Sequence, residues 1–183
     1  MAGPHKQRTA VSFLMKTFIV LGMHRSATSL VAKSLHHEIS MGERLLPAIP
    51  NDNPLGYYED IEFIQLNDKI LRKAGGDWRN PPSEEKILQV ADRFDSRIRS
   101  ILQERYSYGV NWGWKDPRTV LTIRLYLPYL INPHFISCLR DPQEVAASLV
   151  RRDSIFFTQE KAVALANEYN QRLLKFLADF AGI

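Results

Sequence analysis

Apolar residues run without a break from Phe18 to Leu21, after Thr17 and before Gly22. A short β-branched run of this kind predicts a strand buried on both faces, as in parallel sheets. After a short polar turn, Thr28–His37 is rich in helix formers, so the local pattern is strand, turn, helix. Ser40–Gly56 carries Pro47, Pro50, Asn51, Asn53, Pro54 and Gly56 and predicts a loop. Ile61, Ile64, Leu66, Ile70 and Leu71 give Glu59–Lys73 a weak helical period, which Gly75 and Gly76 end. Pro81-Pro82-Ser83-Glu84-Glu85 reads as a helix start, its acidic residues complementing the helix dipole. Ile87, Val90, Ala91, Phe94, Ile98, Ile101 and Leu102 follow at three- and four-residue steps and predict the clearest amphipathic helix of the chain.

Val110–Trp114 and His134–Leu139 predict two further strands. Helices are predicted over Arg118–Leu130, with Pro117 suited to the first turn, over Pro142–Arg151, and over Thr158–Phe180. No internal repeat or low-complexity segment interrupts this order. Strands alternating with helices predict an α/β fold, a single three-layer domain with a mostly parallel sheet flanked by helices.

Composition narrows the class. With 183 residues, 45 % apolar and 24 % charged, the chain suits one globular domain. The net charge of +4 is a mild basic excess that fits a small anionic ligand as well as it fits nucleic acid. No Lys/Arg block and no interleaving of aromatic with basic residues points to nucleic acid, so no nucleic-acid partner is expected. Cys138 is the only cysteine, which excludes an internal disulfide and favours a reducing, cytoplasmic setting. His36 and His37 are adjacent, with no acid or thiol at ligand spacing, so no metal site is expected. The apolar run Ala10–Met15 is too short for a membrane span, and Lys16 interrupts it. Met15 is a second candidate start, and residues 1–16 are expected to be a disordered extension or tag.

The candidate chemistry begins at Gly22-Met23-His24-Arg25-Ser26-Ala27-Thr28-Ser29, between the first strand and the first helix. Free backbone N–H groups and the positive end of the helix dipole make such a junction an anion site. Arg25 adds a fork of donors, and Ser26, Thr28 and Ser29 add hydroxyls. A nucleotide-hydrolase phosphate loop needs Gly-x-x-x-x-Gly-Lys, but Ala27 and Thr28 stand at its second glycine and its lysine. Farther on, Arg140 follows a strand and Ser148 lies eight residues later, about two turns into the next helix. Ligands in open α/β sheets sit at the carboxyl ends of the strands, where both residues are expected.

These segments resemble the P-loop sulfotransferases. Arg25-Ser26-Ala27-Thr28-Ser29 looks like that family's 5′-phosphosulfate loop, in the Gly-Met-His-Arg-Ser form of its bacterial and Golgi-type branches. Arg140-Asp141-Pro142 with Ser148 looks like the pair that grips the 3′-phosphate. Gly56-Tyr57-Tyr58-Glu59 is similar to the bacterial Gly-Tyr-Trp-Glu loop, and Lys115-Asp116-Pro117-Arg118 to the turn after the second strand. The four segments stand in the family's order over roughly residues 17–152. Two departures stand out. Ala27 replaces the usual glycine, and alanine resists positive φ. The chain also stops at Ile183, where members commonly continue into another strand and helix, so residues 17–183 are expected to be a sulfotransferase-like P-loop domain that is C-terminally short.

The resemblance implies binding of 3′-phosphoadenosine 5′-phosphosulfate (PAPS), with 3′-phosphoadenosine 5′-phosphate (PAP) as product. It further implies transfer of the sulfonate to an unidentified acceptor hydroxyl or amine. The implied nucleotide contacts are His24, Arg25, Ser26, Ala27, Thr28, Ser29, Arg140 and Ser148. The implied catalytic groups are Arg25 and, second to it, Lys115 for charge on the leaving oxygen, with Glu59 as base. Glu59 also reads as a first-turn carboxylate of the next helix, and Lys115 as a solvated lysine beside a turn. Asp116 and Asp60 are reserve bases. Two alternatives stand beside this reading: a degenerate module that binds nucleotide without turnover, and a P-loop small-molecule kinase.

Overall fold

In a computed structural model, residues 15–50, 52–53 and 56–182 are described, so the proposed extension before Met15 lies outside them. Three strands, β1 (Thr17–Gly22), β2 (Trp112–Lys115) and β3 (Pro133–Cys138), form a parallel sheet in the order β2-β1-β3. β1 is central and buried on both faces, as its unbroken apolar run requires. Its register pairs Val20 with Lys115 and Gly22 with Cys138, so all three strands end at one edge of the sheet. Helices flank this sheet: α1 (Thr28–His36), α2 (Ile61–Lys73), α3 (Glu84–Leu88), α4 (Asp95–Ser107), α5 (Thr119–Tyr126), α6 (Pro142–Arg152) and α7 (Gln159–Ala181). No helix among the described residues is long and apolar enough to cross a membrane.

The two faces of the sheet are unequal. Ile19, Leu21, Trp112 and Trp114 belong to the larger core, with Phe63 of α2, Ile101 of α4, Tyr126 of α5 and Leu173 of α7. Phe63 stacks on Trp114 with ring centres 4.5 Å apart. On the other face Val20 and Cys138 meet Ala32 of α1 and Met41 in a smaller cluster. Met15 is also buried in the larger core, two residues ahead of the expected domain start at Thr17.

Several local expectations change. The long amphipathic helix over 84–102 is broken into α3, a 3₁₀ turn at Ala91–Arg93, and α4. Ile87 and Ile98 both reach the core, and both helices pack on α5. Their separation is close to three helical turns, so the apolar phase survives the break and reads as one rod. α5 stops at Tyr126 rather than Leu130, because Pro128 has no N–H to continue the ladder and a 3₁₀ turn, Leu127–Tyr129, follows. α2 begins at Ile61 with Asp60 as its cap, accepting from the Glu62 N–H. Glu59 is therefore outside the helix, and its reading as a first-turn carboxylate is corrected.

Candidate functional site

β1 ends where Gly22 passes so close to β3 that a Cβ would lie 2.6 Å from the Cys138 carbonyl oxygen. The chain then turns sharply. Arg25 and Ala27 both take left-handed conformations, with φ of 70° and 61°. Ala27 is the N-cap of α1, and its carbonyl receives the N–H groups of Leu30 and Val31. The helical ladder starts there, so the preceding N–H groups have no helical partner. Ala27 is thus a residue that must carry positive φ, the conformation alanine resists.

The loop after β3 meets this turn. Asp141 caps α6 by accepting from Gln143 and Glu144, and Pro142 occupies the first helical turn. That geometry holds Arg140 just before the helix and Ser148 on its buried side. Arg140 donates from Nη1 to the Arg25 carbonyl at 2.9 Å. Arg25 donates from Nε to Ser148 Oγ at 2.9 Å. Arg25 therefore joins Arg140 and Ser148, 115 and 123 residues farther along the chain, in one wall.

That wall closes a cavity of about 270 Å³ at the carboxyl edge of the sheet. His24, Arg25, Ala27, Thr28, Ser29, Lys115, Glu59, Arg140 and Ser148 all line it. Ser26 does not: it is buried, and its hydroxyl has no partner among the described residues. Lys33, Asp52, Asn53, Tyr57 and Arg152 also line the cavity, and sequence reasoning missed them. Arg152 was within reach, since it lies four residues after Ser148 on the same helix and so shares its face. Asp52 carried no local signal. Tyr58 packs edge-on against His36 with ring centres 5.6 Å apart.

Lys115 is not solvated. It is 1 % exposed, and its ammonium lies 2.6 Å from Glu59 Oε1. Arg118 stands 3.8 Å from the other Glu59 oxygen. Burial pushes the Glu59 carboxyl above its ordinary value, against the pull of Lys115 and Arg118. The reserve bases have structural partners. Asp116 accepts from Asn67 at 2.8 Å and from Arg118 at 2.8 Å, and Asp60 caps α2 and pairs with Arg105 at 3.2 Å. Neither lines the cavity.

No family model, curated protein or solved structure matches this chain. The site therefore stands on its own geometry. Its cations are Arg25, Lys33, Lys115, Arg140 and Arg152, against the carboxylates of Asp52 and Glu59. His24 lies against Trp78 with ring centres 4.2 Å apart, and its buried Nε2 has no partner among the described residues. Burial, reinforced by Arg118, Lys115, Arg152 and Arg25, holds its pKa well below the usual range, so the ring is neutral at neutral pH. Burial and the hydrogen bond to Asp52 push the Tyr57 hydroxyl up to about 12, so it stays a donor. No trio of His, Cys, Asp or Glu is grouped to hold a metal ion among the described residues.

Proposed function

We propose that this cavity binds the phosphate groups of 3′-phosphoadenosine 5′-phosphosulfate and that the chain transfers its sulfonate to an acceptor hydroxyl or amine. The observation that carries the reading is the single wall made by Arg25, Ser148 and Arg140. The donor set fits a polyanion: a cationic excess, the hydroxyls of Ser29 and Ser148, and the free N–H groups at the start of α1. About 270 Å³ accommodates the anionic end, while the nucleoside extends to the mouth. The nucleotide, when bound, supplies an activated sulfonate on a phosphate leaving group.

The residues of the chain then divide the work. Arg140 and Ser148 hold the 3′-phosphate, and Arg25 and the α1 N-terminus hold the 5′ end. Arg25 and Lys115 set positive charge where the leaving oxygen gains negative charge. Glu59 is the carboxylate available on the cavity wall to take the acceptor proton, once Lys115 has turned from it. The closed Glu59–Lys115 pair also favours a second reading, a module that binds nucleotide without turnover, because the ammonium at 2.6 Å stabilises the ionised carboxylate and so weakens it as a base.

Thermal unfolding with PAP and with ADP tests the binding step. PAP raises the melting temperature more than ADP does, because only PAP carries a 3′-phosphate for Arg140 and Ser148. Arg140→Ala removes the difference. Equal shifts for PAP and ADP in the unmodified protein overturn the assignment. Turnover with a panel of acceptors separates the enzyme from the binding module.

A further inference from the structure

Asp52 is the one cavity-lining carboxylate that meets two arginines of the same wall. Its Oδ1 accepts from Arg25 Nη1 at 3.2 Å, and its Oδ2 lies 2.7 Å from Arg152 Nη2. The Tyr57 hydroxyl donates to Oδ2 as well. Arg25 is also held through its Nε, which donates to Ser148 Oγ. A flat anion with two oxygens thus already spans the fork of Arg25 and the head of Arg152, the donor arrangement that a phosphate or sulfate group uses. Lys115 has Glu59 and Arg140 has Glu144, whereas Arg25 and Arg152 share Asp52. An acid that merely oriented the two arginines would be expected behind them. Asp52 instead lines the cavity beside them.

We propose that Asp52 is an internal competitor for the oxyanion seat of this cavity and holds down its affinity for every anion that enters it. The inference rests on the reading of the cavity as an oxyanion site, but needs no nucleotide. Asp52 brings one negative charge to two guanidinium groups, and its tether gives it a high effective concentration. An entering anion must displace the Asp52 carboxylate from both arginines. The apparent affinity for any anion is therefore scaled down to the fraction of molecules in which Asp52 has left the seat.

The test uses inorganic sulfate as the dianion and methyl sulfate as the matched monoanion, titrated into ¹⁵N-labelled protein and followed by amide shifts. The unmodified protein binds both anions weakly. Asp52→Asn tightens sulfate and methyl sulfate alike, each by roughly tenfold. Asp52→Ser behaves the same way and guards against an effect of the new amide. Glu85→Gln, at an exposed acid of α3 outside the cavity, leaves both affinities unchanged. Unchanged or weaker sulfate binding in both Asp52 variants overturns the proposal and makes Asp52 a positioning residue. An equal gain in Glu85→Gln assigns the effect to overall charge and also overturns it, as does the absence of saturable sulfate binding in every protein. Failure of the PAP preference over ADP leaves these results standing, since no nucleoside enters the experiment.

Discussion

Glu59 and Lys115 neutralise one another across 2.6 Å at the cavity wall, and both are buried. Glu59→Gln leaves the ammonium without its counter-charge, and breaking a buried pair in this way costs about 3–5 kcal/mol. If Glu59 is the base, the same variant keeps nucleotide affinity near that of the unmodified protein and lowers turnover by roughly a hundredfold or more. Urea denaturation reads the first effect and steady-state kinetics the second. Loss of stability with turnover within a few-fold assigns the pair to structure. His24 makes a separate prediction. Its pKa is lower in the folded than in the unfolded chain, so the unfolded state binds more protons at pH values between the two. The neutral ring's contribution is fully present above the unfolded value near 6.5 and is lost as pH falls below it. The stability of the unmodified protein therefore drops between pH 6.5 and 5 more steeply than that of His24→Gln, by at most about 1.4 kcal/mol per pH unit. Parallel slopes in denaturation midpoints count against this placement of the ring.

The β1–α1 turn stores strain at Ala27, where φ is 61°. A left-handed residue other than glycine costs about 1–2 kcal/mol. Glycine relieves that strain but loses more entropy on folding, about 0.5–1 kcal/mol. Ala27→Gly is therefore net stabilising by up to about 1.5 kcal/mol, read as a higher denaturation midpoint at unchanged m-value. A midpoint at or below that of the unmodified protein shows that the turn does not hold Ala27 under strain. The element that follows β3 is built with less conflict. Asp141 caps α6, Pro142 starts it, and Ser148 and Arg152 stand one turn apart on the cavity side. α7 likewise starts at a cap, with Thr158 accepting from the Lys161 N–H. Such starts are readable because a cap and the donors it satisfies lie within one turn. The break between α3 and α4 is not readable this way, since both sides of it keep the same apolar phase.

At the scale of the molecule, the strand order β2-β1-β3 brings the loops after all three strands to one edge. The alternation of apolar runs and amphipathic stretches was enough to predict a parallel sheet flanked by helices. It was also enough to predict that Gly22–Ser29 and Arg140–Ser148 lie at strand-to-helix junctions. These features depend on side-chain periodicity, caps and proline, which act within a turn or two of the chain. Which groups meet across the cavity depended on register and crossover instead. Arg25 reaches Ser148 across 123 residues and Lys115 reaches Glu59 across 56. No local pattern specifies that Val20 pairs with Lys115 and Ile136, or that Asp52 enters the wall between two arginines. The sequence by itself determined the elements and the residue types offered at their ends, because those follow from local burial and hydrogen bonding. Only the tertiary structure decided which charges are already neutralised and which sign of φ Ala27 must carry, because both depend on what the rest of the chain packs against them.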